Sequence, residues 1–140
     1  MGTTAARSIG VGVIGFGWMG RVHAQAHARL RHHFPDLGLV PELVAVADDV
    51  PGRAEAAAAQ FGFASATADW RELLADPRVE LVSVTAPNWL HREIGVAVAE
   101  AGRHLWIEKP VGLTADDARA VAGAAAAAGT TAPSRTRRRR

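Results

Sequence analysis

One lysine stands alone in this sequence of 140 residues. Lys109 lies in the stretch HLWIEKPVG, and every other Lys or Arg position is an arginine. A lysine can exchange its proton when it is partly desolvated, whereas an arginine keeps its charge permanently. Lys109 is therefore a proton-exchanging group of an active site, a cation that pairs with a carboxylate such as the neighbouring Glu108, or a solvated cation at the end of a strand.

Three glycines in the stretch GFGWMG form a second motif. Gly15, Gly17 and Gly20 match the pattern G-x-G-x-x-G, after an apolar run and before a helix-like stretch. In such a turn the first glycine permits a tight bend, the second lets a pyrophosphate approach the backbone, and the third lets the helix pack closely on the strand. The pattern predicts dinucleotide binding at a helix N-terminus, against the alternative of a plain structural turn.

A carboxylate ends the second apolar run, PELVAVAD. Asp48 lies where a dinucleotide-binding fold places an acid on the adenosine ribose hydroxyls, which favours NAD over NADP. The interval from Gly20 to Asp48 is longer than usual, so a simple turn residue stays an alternative. Arg53 lies close enough in sequence to reach a 2′-phosphate, and this leaves NADP open as well.

Strand-like and helix-like segments alternate along the chain and must position these residues. Short apolar runs rich in β-branched residues are typical of buried parallel strands. The sequence has four of them, SIGVGVIG, PELVAVAD, VELVSVTAP and RHLWIEKP, and a weak edge strand is added at 63–66. Asp69 is expected to cap one helix, and Thr114 with Asp117 to form a capping box on another. The predicted helices cover 19–33, 52–61, 69–75, 91–101 and 115–128.

This alternation predicts an α/β fold, a doubly wound parallel sheet of the Rossmann type with about five strands and helices on both faces. In that fold ligands bind at the carboxyl ends of the strands, near the point where the strand order reverses. The residues at the strand ends are therefore the candidates for function.

Composition excludes several classes of site. The chain has no cysteine, so disulfides and thiolate metal sites are excluded, and a cytoplasmic location is expected. His23 and His27 lie four residues apart on a predicted helix, but no third ligand at metal spacing lies near them, so no metal is expected. The first apolar run is too short for a signal peptide or a membrane span.

The positive charge is concentrated at the C-terminus. The formal net charge is +2, from 16 Lys and Arg against 14 Asp and Glu. Five arginines lie in the last six residues, and without them the charge is 11 − 14 = −3. Because the remainder of the chain is acidic, a solvated terminus is favoured over nucleic-acid binding through this tail.

Taken together in one order, the stretches GFGWMG, VAVAD, TAPNWLH and AGRHLWIEKPVGLT resemble the N-terminal half of the Gfo/Idh/MocA oxidoreductases. The resemblance covers about Ile9 to Gly129, and the Glu-Lys-Pro signature is its most specific part. It implies an NAD(P)-dependent oxidoreductase of a sugar, cyclitol or related polyol. The family combines a Rossmann domain that holds the cofactor with a second α/β domain that covers the substrate.

Carried over by residue, the resemblance implies that Lys109 is catalytic. At a strand end beside a nicotinamide, its side chain would hydrogen-bond the reacting oxygen of the substrate and stabilise alkoxide character. It also implies that His23 lies near the glycine turn. The implied cofactor-binding residues are Gly15, Phe16, Gly17, Trp18, Met19, Gly20, Asp48, Ala86, Pro87, Asn88, His91, Glu108 and Lys109.

The sequence departs from the family after Gly129. Residues 1–129 are predicted to form the NAD(P)-binding domain, and 130–140, TTAPSRTRRRR, a disordered Arg-rich tail where the family has a sixth strand. The substrate domain is expected to be absent and the chain alone inactive. An edge left unpaired beside the last strand would allow a homo-oligomer. The alternative function is a non-catalytic dinucleotide-binding module that works with a partner chain.

Overall fold

A computed structural model describes residues 5–133, which fold around one five-stranded parallel sheet. The strand order is β3-β2-β1-β4-β5, and the predicted doubly wound α/β fold is confirmed. Each predicted helix is present, and the weak edge strand is found at one margin of the sheet. The elements are β1 Arg7–Ile14, α1 Trp18–His33, β2 Leu39–Ala47, α2 Arg53–Phe61, β3 Ser65–Thr67, α3 Trp70–Ala75, β4 Leu81–Val84, α4 His91–Glu100, β5 His104–Ile107 and α5 Ala115–Ala128.

The strand order reverses at β1, which pairs with both β2 and β4. Ile14, the last residue of β1, lies opposite Ala47 of β2 and Val84 of β4. Val84 in turn lies opposite Ile107, the last residue of β5. The four carboxyl ends therefore lie level with one another, and the loops that follow them meet at one edge of the sheet, where such folds bind ligands.

Both faces of the sheet are covered by helices because the apolar side chains alternate along the strands. Val11 and Val13 pack with Ala24 of α1 and Ala57 of α2 on one face. On the other face, a larger cluster joins Val82 and Val84 of β4 and Leu105 and Ile107 of β5 to α3, α4 and α5. The helix residues in this second cluster are Leu73, Ile94, Val98 and Val121.

The helix ends follow the local signals in the sequence. The Asp69 side chain accepts a hydrogen bond from the Arg71 backbone N–H and caps α3. Thr114 and Asp117 form the predicted capping box at the start of α5. These caps satisfy N–H groups that a helix cannot satisfy internally.

The edge of β5 is partly covered by residues that follow α5. The Leu105 N–H donates to the Thr131 carbonyl oxygen at 2.9 Å, and Ala132 packs against the larger core cluster. Residues 130–133, the start of the expected disordered tail, therefore lie against the sheet. They do so because an edge strand has unpaired N–H groups, which can donate hydrogen bonds to any backbone carbonyl oxygen nearby. The remainder of that tail, 134–140, lies outside the described residues.

The buried face of α1 contains two histidines. Its buried residues are Gly20, His23, Ala24 and His27. His27 Nε2 lies 2.9 Å from the Ser83 hydroxyl of β4. Burial, with a smaller contribution from the charge of His23, lowers the pKa of His27 from 6.5 to about 4.

No helix within residues 5–133 combines the length and the apolar character needed to cross a membrane.

The lowered pKa of His27 predicts a loss of stability in mild acid. The unfolded chain binds a proton at this side chain near pH 6.5 and the folded chain only near pH 4. The contribution is therefore fully present above about pH 6.5 and is lost as the pH falls toward 4. Between pH 7 and pH 4.5, the free energy of unfolding should fall in both chains. We expect it to fall by roughly 2 to 3 kcal/mol less in His27→Gln, whose side chain cannot be protonated, than in the unmodified chain.

Urea unfolding of both chains at the two pH values measures this difference. The other titrating groups are common to both chains, so the comparison isolates His27. An equal loss in both chains would show that the buried imidazole is not responsible.

Candidate functional site

A groove of about 860 Å³ lies at the carboxyl ends of β1, β2 and β4. The glycine turn after β1 forms its floor, the loop after β2 one side and the loop after β4 the other. Two exposed indoles lie along it, because Trp18 is 78% and Trp89 is 70% exposed. The residues that line it include Gly15, Phe16, Gly17, Trp18, Met19, Asp48, Asp49, Arg53, Trp70, Arg71, Thr85, Ala86, Pro87 and Trp89.

The three glycines of the turn differ in their surroundings. Gly15 has a φ of +87°, and a Cβ built on it would lie 2.5 Å from the Ala86 backbone nitrogen. A Cβ on Gly20 would collide with the Gly15 carbonyl oxygen, whereas one on Gly17 would meet no atom within 4 Å. Gly17 therefore faces the open groove. Gly20, predicted to contact the cofactor, lies beneath the turn and outside the groove lining, where it allows α1 to approach β1.

Asp48 connects the end of β2 to the glycine turn. Its Oδ2 accepts a hydrogen bond from the Phe16 N–H at 2.7 Å, and its Oδ1 accepts one from the Val50 N–H at 2.9 Å. Arg53 Nη1 lies 3.6 Å from Oδ2, and the Asp48 side chain is 6% exposed. The carboxylate thus holds the turn in place, while its uncommitted lone pairs remain available in the groove wall.

A second pocket of about 420 Å³ adjoins the groove. The two share Met19, Thr85 and Ala86, so they form one continuous depression along the sheet edge. The remaining residues that line the second pocket are Asn88, His91, Glu108 and Lys109. The structure therefore brings Gly15 of the glycine turn and Lys109, which lie 109 − 15 = 94 residues apart in the sequence, to neighbouring parts of one cleft.

Lys109 is exposed and takes part in no ion pair among residues 5–133. Glu108 is not its partner, since Glu108 Oε1 lies 2.8 Å from His23 Nε2 of α1. An ion pair between Lys109 and Glu108 is thus not found, and the exposed side chain agrees both with a solvated cation at the strand end and with an amine that is available to a ligand. The peptide bond between Lys109 and Pro110 is cis.

His91 connects the two loops that form the second pocket. Its Nε2 lies 2.8 Å from the Ala86 carbonyl oxygen and its Nδ1 lies 2.7 Å from the Pro110 carbonyl oxygen. The residue is 1% exposed. Both ring nitrogens therefore contact backbone carbonyl oxygens, so His91 lines the pocket and also holds its two loops together. Its contact with a cofactor stays a prediction.

Sequence reasoning missed several residues of the cleft. The Thr85 hydroxyl donates to the Gly15 carbonyl oxygen and lines both pockets. Trp70 and Arg71 form the outer wall, with the guanidinium carbon 4.5 Å from the ring centre of Trp70. A hydroxyl residue at the end of a buried strand could have identified Thr85 as a candidate. Trp70 and Arg71 could not be identified in this way, because their position depends on how α3 lies beside β2.

The arrangement suits an elongated ligand with an anionic centre. The backbone N–H groups at the start of α1 attract phosphate, Asp48 can accept from hydroxyls, and the second pocket offers an ammonium beside a carboxylate. Within residues 5–133, no three His, Asp or Glu side chains cluster in a way that would hold a metal ion. His23 and His27, the pair considered for a metal, are bonded to Glu108 and Ser83.

Comparison with known proteins agrees with this geometry. The family model described as "Oxidoreductase family, NAD-binding Rossmann fold", that of Gfo/Idh/MocA, matches residues 9–133. Levoglucosan dehydrogenase of Pseudarthrobacter phenanthrenivorans is 38% identical over 115 residues, which is 82% of this chain and 30% of the relative. An inositol 2-dehydrogenase/D-chiro-inositol 3-dehydrogenase of Lactiplantibacillus plantarum is 37% identical over 75% of this chain and 28% of its own length.

A solved structure has the same fold. Levoglucosan dehydrogenase in complex with NADH and levoglucosan superposes with a TM-score of 0.84 at 35% identity, over 90% of this chain and 35% of that one. The chain therefore spans about a third of the proteins that it matches.

The glycine turn leads to a prediction that separates folding from binding. Gly17→Val should leave the melting temperature nearly unchanged, because its Cβ meets no atom within 4 Å. The same change should weaken dinucleotide binding by at least about tenfold, because the side chain would occupy the place of the phosphates. Gly15→Val is the matched contrast and should lower stability by more than about 1 kcal/mol, since it places a β-branched residue at positive φ.

Thermal melts and calorimetric titrations of the two variants test both parts. If Gly17→Val binds within a few-fold of the unmodified chain, the glycine turn is not the phosphate site.

Proposed function

Because the chain belongs to the Gfo/Idh/MocA oxidoreductases, a family with an NAD-binding Rossmann fold, we propose that it carries the cofactor half of an NAD-dependent dehydrogenase. The cofactor would lie in the groove, with its pyrophosphate at Gly17 and its nicotinamide toward Lys109. The substrate would be a sugar, a cyclitol or a related polyol.

The observation that carries this proposal is the continuity of the two pockets. The groove that contains the glycine turn and the pocket that contains Lys109 share the lining residues Met19, Thr85 and Ala86. A dinucleotide bound at the turn would therefore extend directly toward Lys109. The groove also has Asp48 at the other end, where an adenosine ribose would lie.

NAD, when bound, supplies the hydride acceptor for oxidation of an alcohol and its reduced form the donor for the reverse reaction. The chain's own groups would bind and orient the reactants. Lys109 Nζ would hydrogen-bond the substrate oxygen whose carbon is oxidised and hold the proton that this oxygen releases. Glu108 keeps one oxygen, Oε2, without a hydrogen bond to any described residue, and that oxygen would accept from a hydroxyl.

Polyhydroxylated rings suit this pocket chemically. Asn88, Glu108 and Lys109 offer donors and acceptors for hydroxyl groups. The names of two relatives support the class, since one acts on levoglucosan and another on inositols. The chain spans about a third of those proteins, so we propose that the surface that covers the substrate comes from a second domain or chain.

A second candidate function is a non-catalytic dinucleotide-binding module that works with a partner chain. Trp18 and Trp89 favour it, because two large indoles on the rim of the groove are 78% and 70% exposed and could be buried by a partner.

A cytoplasmic location, a homo-oligomer and the domain division at Gly129 stay predictions.

The Asp48 carboxylate predicts a preference for NAD over NADP. A negative charge that faces the adenosine ribose repels a 2′-phosphate, so the unmodified chain should bind NAD more tightly than NADP. Asp48→Ser should weaken NAD binding and reduce the discrimination. It should also lower stability modestly, because the Phe16 and Val50 N–H groups lose their acceptor. Calorimetry with both cofactors measures the ratio, and equal affinities in the unmodified chain would contradict the assignment.

The proposed function also predicts where activity will be found. The 140-residue chain should bind NAD without detectable NADH formation from myo-inositol, glucose or levoglucosan, because hydride transfer needs a substrate held against the nicotinamide. Grafting the substrate domain of a relative after Gly129 should restore turnover. Lys109→Arg, which keeps the charge but cannot exchange the proton, should abolish it while NAD binding persists.

NADH absorbance follows the reaction in the chain, the graft and the variant. Substrate-dependent NADH formation by the chain alone would show that it is a complete enzyme. Turnover by the Lys109→Arg graft at the parent rate would remove Lys109 from the mechanism.

A further inference from the structure

We propose that His23 is a positioning residue that holds the Glu108 carboxylate away from Lys109 and so keeps the Lys109 amine available to a ligand. The proposal rests on the role given to Lys109 above. Its test reads the lysine directly and requires neither cofactor nor turnover, so the two can fail separately.

The contact between His23 and Glu108 is short and sheltered. His23 Nε2 lies 2.8 Å from Glu108 Oε1, and the two side chains are 2% and 15% exposed. Because a carboxylate can only accept, the imidazole nitrogen is the donor. A hydrogen bond to a charged group in such a place is stronger than the same bond in water.

Trp106 fixes the orientation of the imidazole. The His23 ring stacks on the Trp106 ring with centroids 4.0 Å apart and an angle of 26° between the planes. His23 Nδ1 is buried and has no partner among the described residues. Within residues 5–133 the ring therefore has one polar contact, which is with Glu108.

Lys109 is the competing partner for the same carboxylate. Glu108 and Lys109 are adjacent in sequence and line the same pocket, where Lys109 is the one lysine or arginine among the described lining residues. An ion pair between them would favour the protonated amine and occupy it. In the structure the carboxylate is bonded to His23, and Lys109 makes no ion pair within residues 5–133.

His23 lies on the helix that begins at the glycine turn. The same α1 therefore presents its N-terminus to the groove and an imidazole to the lysine pocket, which connects the two ends of the cleft. His27, four residues later on α1, is also buried and lies edge-on to Trp106, but its hydrogen bond goes to Ser83. His27 is thus a matched control for effects on packing.

The single lysine makes the experiment specific. The purified chain is treated with the N-hydroxysuccinimide ester of acetic acid, and acetylation is followed by mass spectrometry of the tryptic peptide 104–119, which contains Lys109. His23→Leu should slow acetylation of Lys109 about tenfold, because the released carboxylate would pair with the ammonium, and only the free amine reacts. His23→Gln should restore the rate, since its amide places an N–H donor near the position of Nε2. His27→Leu should leave it unchanged.

Two results would overturn the proposal. One is an unchanged rate in folded His23→Leu, and the other is an equal slowing in His27→Leu. If His23→Leu does not fold by circular dichroism, Glu108→Gln decides. Its rate should equal that of the unmodified chain, because Lys109 has no carboxylate partner to lose, and a several-fold increase would show that Glu108 already occupies the lysine.

Calorimetry with NAD on the same samples separates the two proposals. The expected acetylation pattern without NAD binding would count against the proposed function alone. NAD binding with an acetylation rate that is insensitive to His23 would count against the role of His23 alone.

Discussion

The close approach of the glycine turn to the end of β4 is the constraint on which the cleft depends. Gly15 reaches a φ of +87°, with no room for a side chain against Ala86. Its N–H donates to the Ala47 carbonyl oxygen at 2.8 Å, and its carbonyl oxygen accepts from the Thr85 hydroxyl. One residue thus joins the ends of β1, β2 and β4. If these strand ends moved apart, the turn, the Asp48 carboxylate and the lysine pocket would no longer lie along one edge.

The two buried histidines of α1 are the residues through which this helix contacts the site. A helix that packs on a sheet is ordinarily stabilised by large aliphatic residues, but the buried positions of α1 hold glycine, alanine and two histidines. Gly20 has no side chain to bury, and this allows the helix to approach the turn. His23 and His27 bury less apolar surface than aliphatic residues would, but they form directed hydrogen bonds to Glu108 and Ser83. Such contacts define how α1 is rotated over the sheet, which apolar packing alone defines less well.

The sequence predicts features that depend on neighbouring residues, but it does not predict contacts between residues that lie far apart in the chain. The strands follow from β-branched runs, and the Asp69 and Thr114 caps follow from residues within one helical turn. The contact between His23 and Glu108 joins residues 85 apart and depends on the rotation of α1 over β5. The pairing of Thr131 with Leu105 has no side-chain signal, because backbone groups make it. Which candidate residues contact a cofactor stays a prediction from the motifs.

Arginines and the single lysine differ in the contacts that they make in this chain. Among residues 5–133, every ion pair that involves a permanent cation uses arginine, as in Arg7 with Glu80 and Arg92 with Asp117. Arginine suits such pairs because its planar guanidinium binds carboxylates and never loses its proton. Lys109, the single lysine, makes no ion pair with a carboxylate within residues 5–133, while the adjacent Glu108 carboxylate is bonded to His23. An amine that had to neutralise Glu108 would not be free to exchange a proton with a ligand. The proposed proton exchange at Lys109 therefore depends on the contact between His23 and Glu108, which keeps this carboxylate engaged elsewhere.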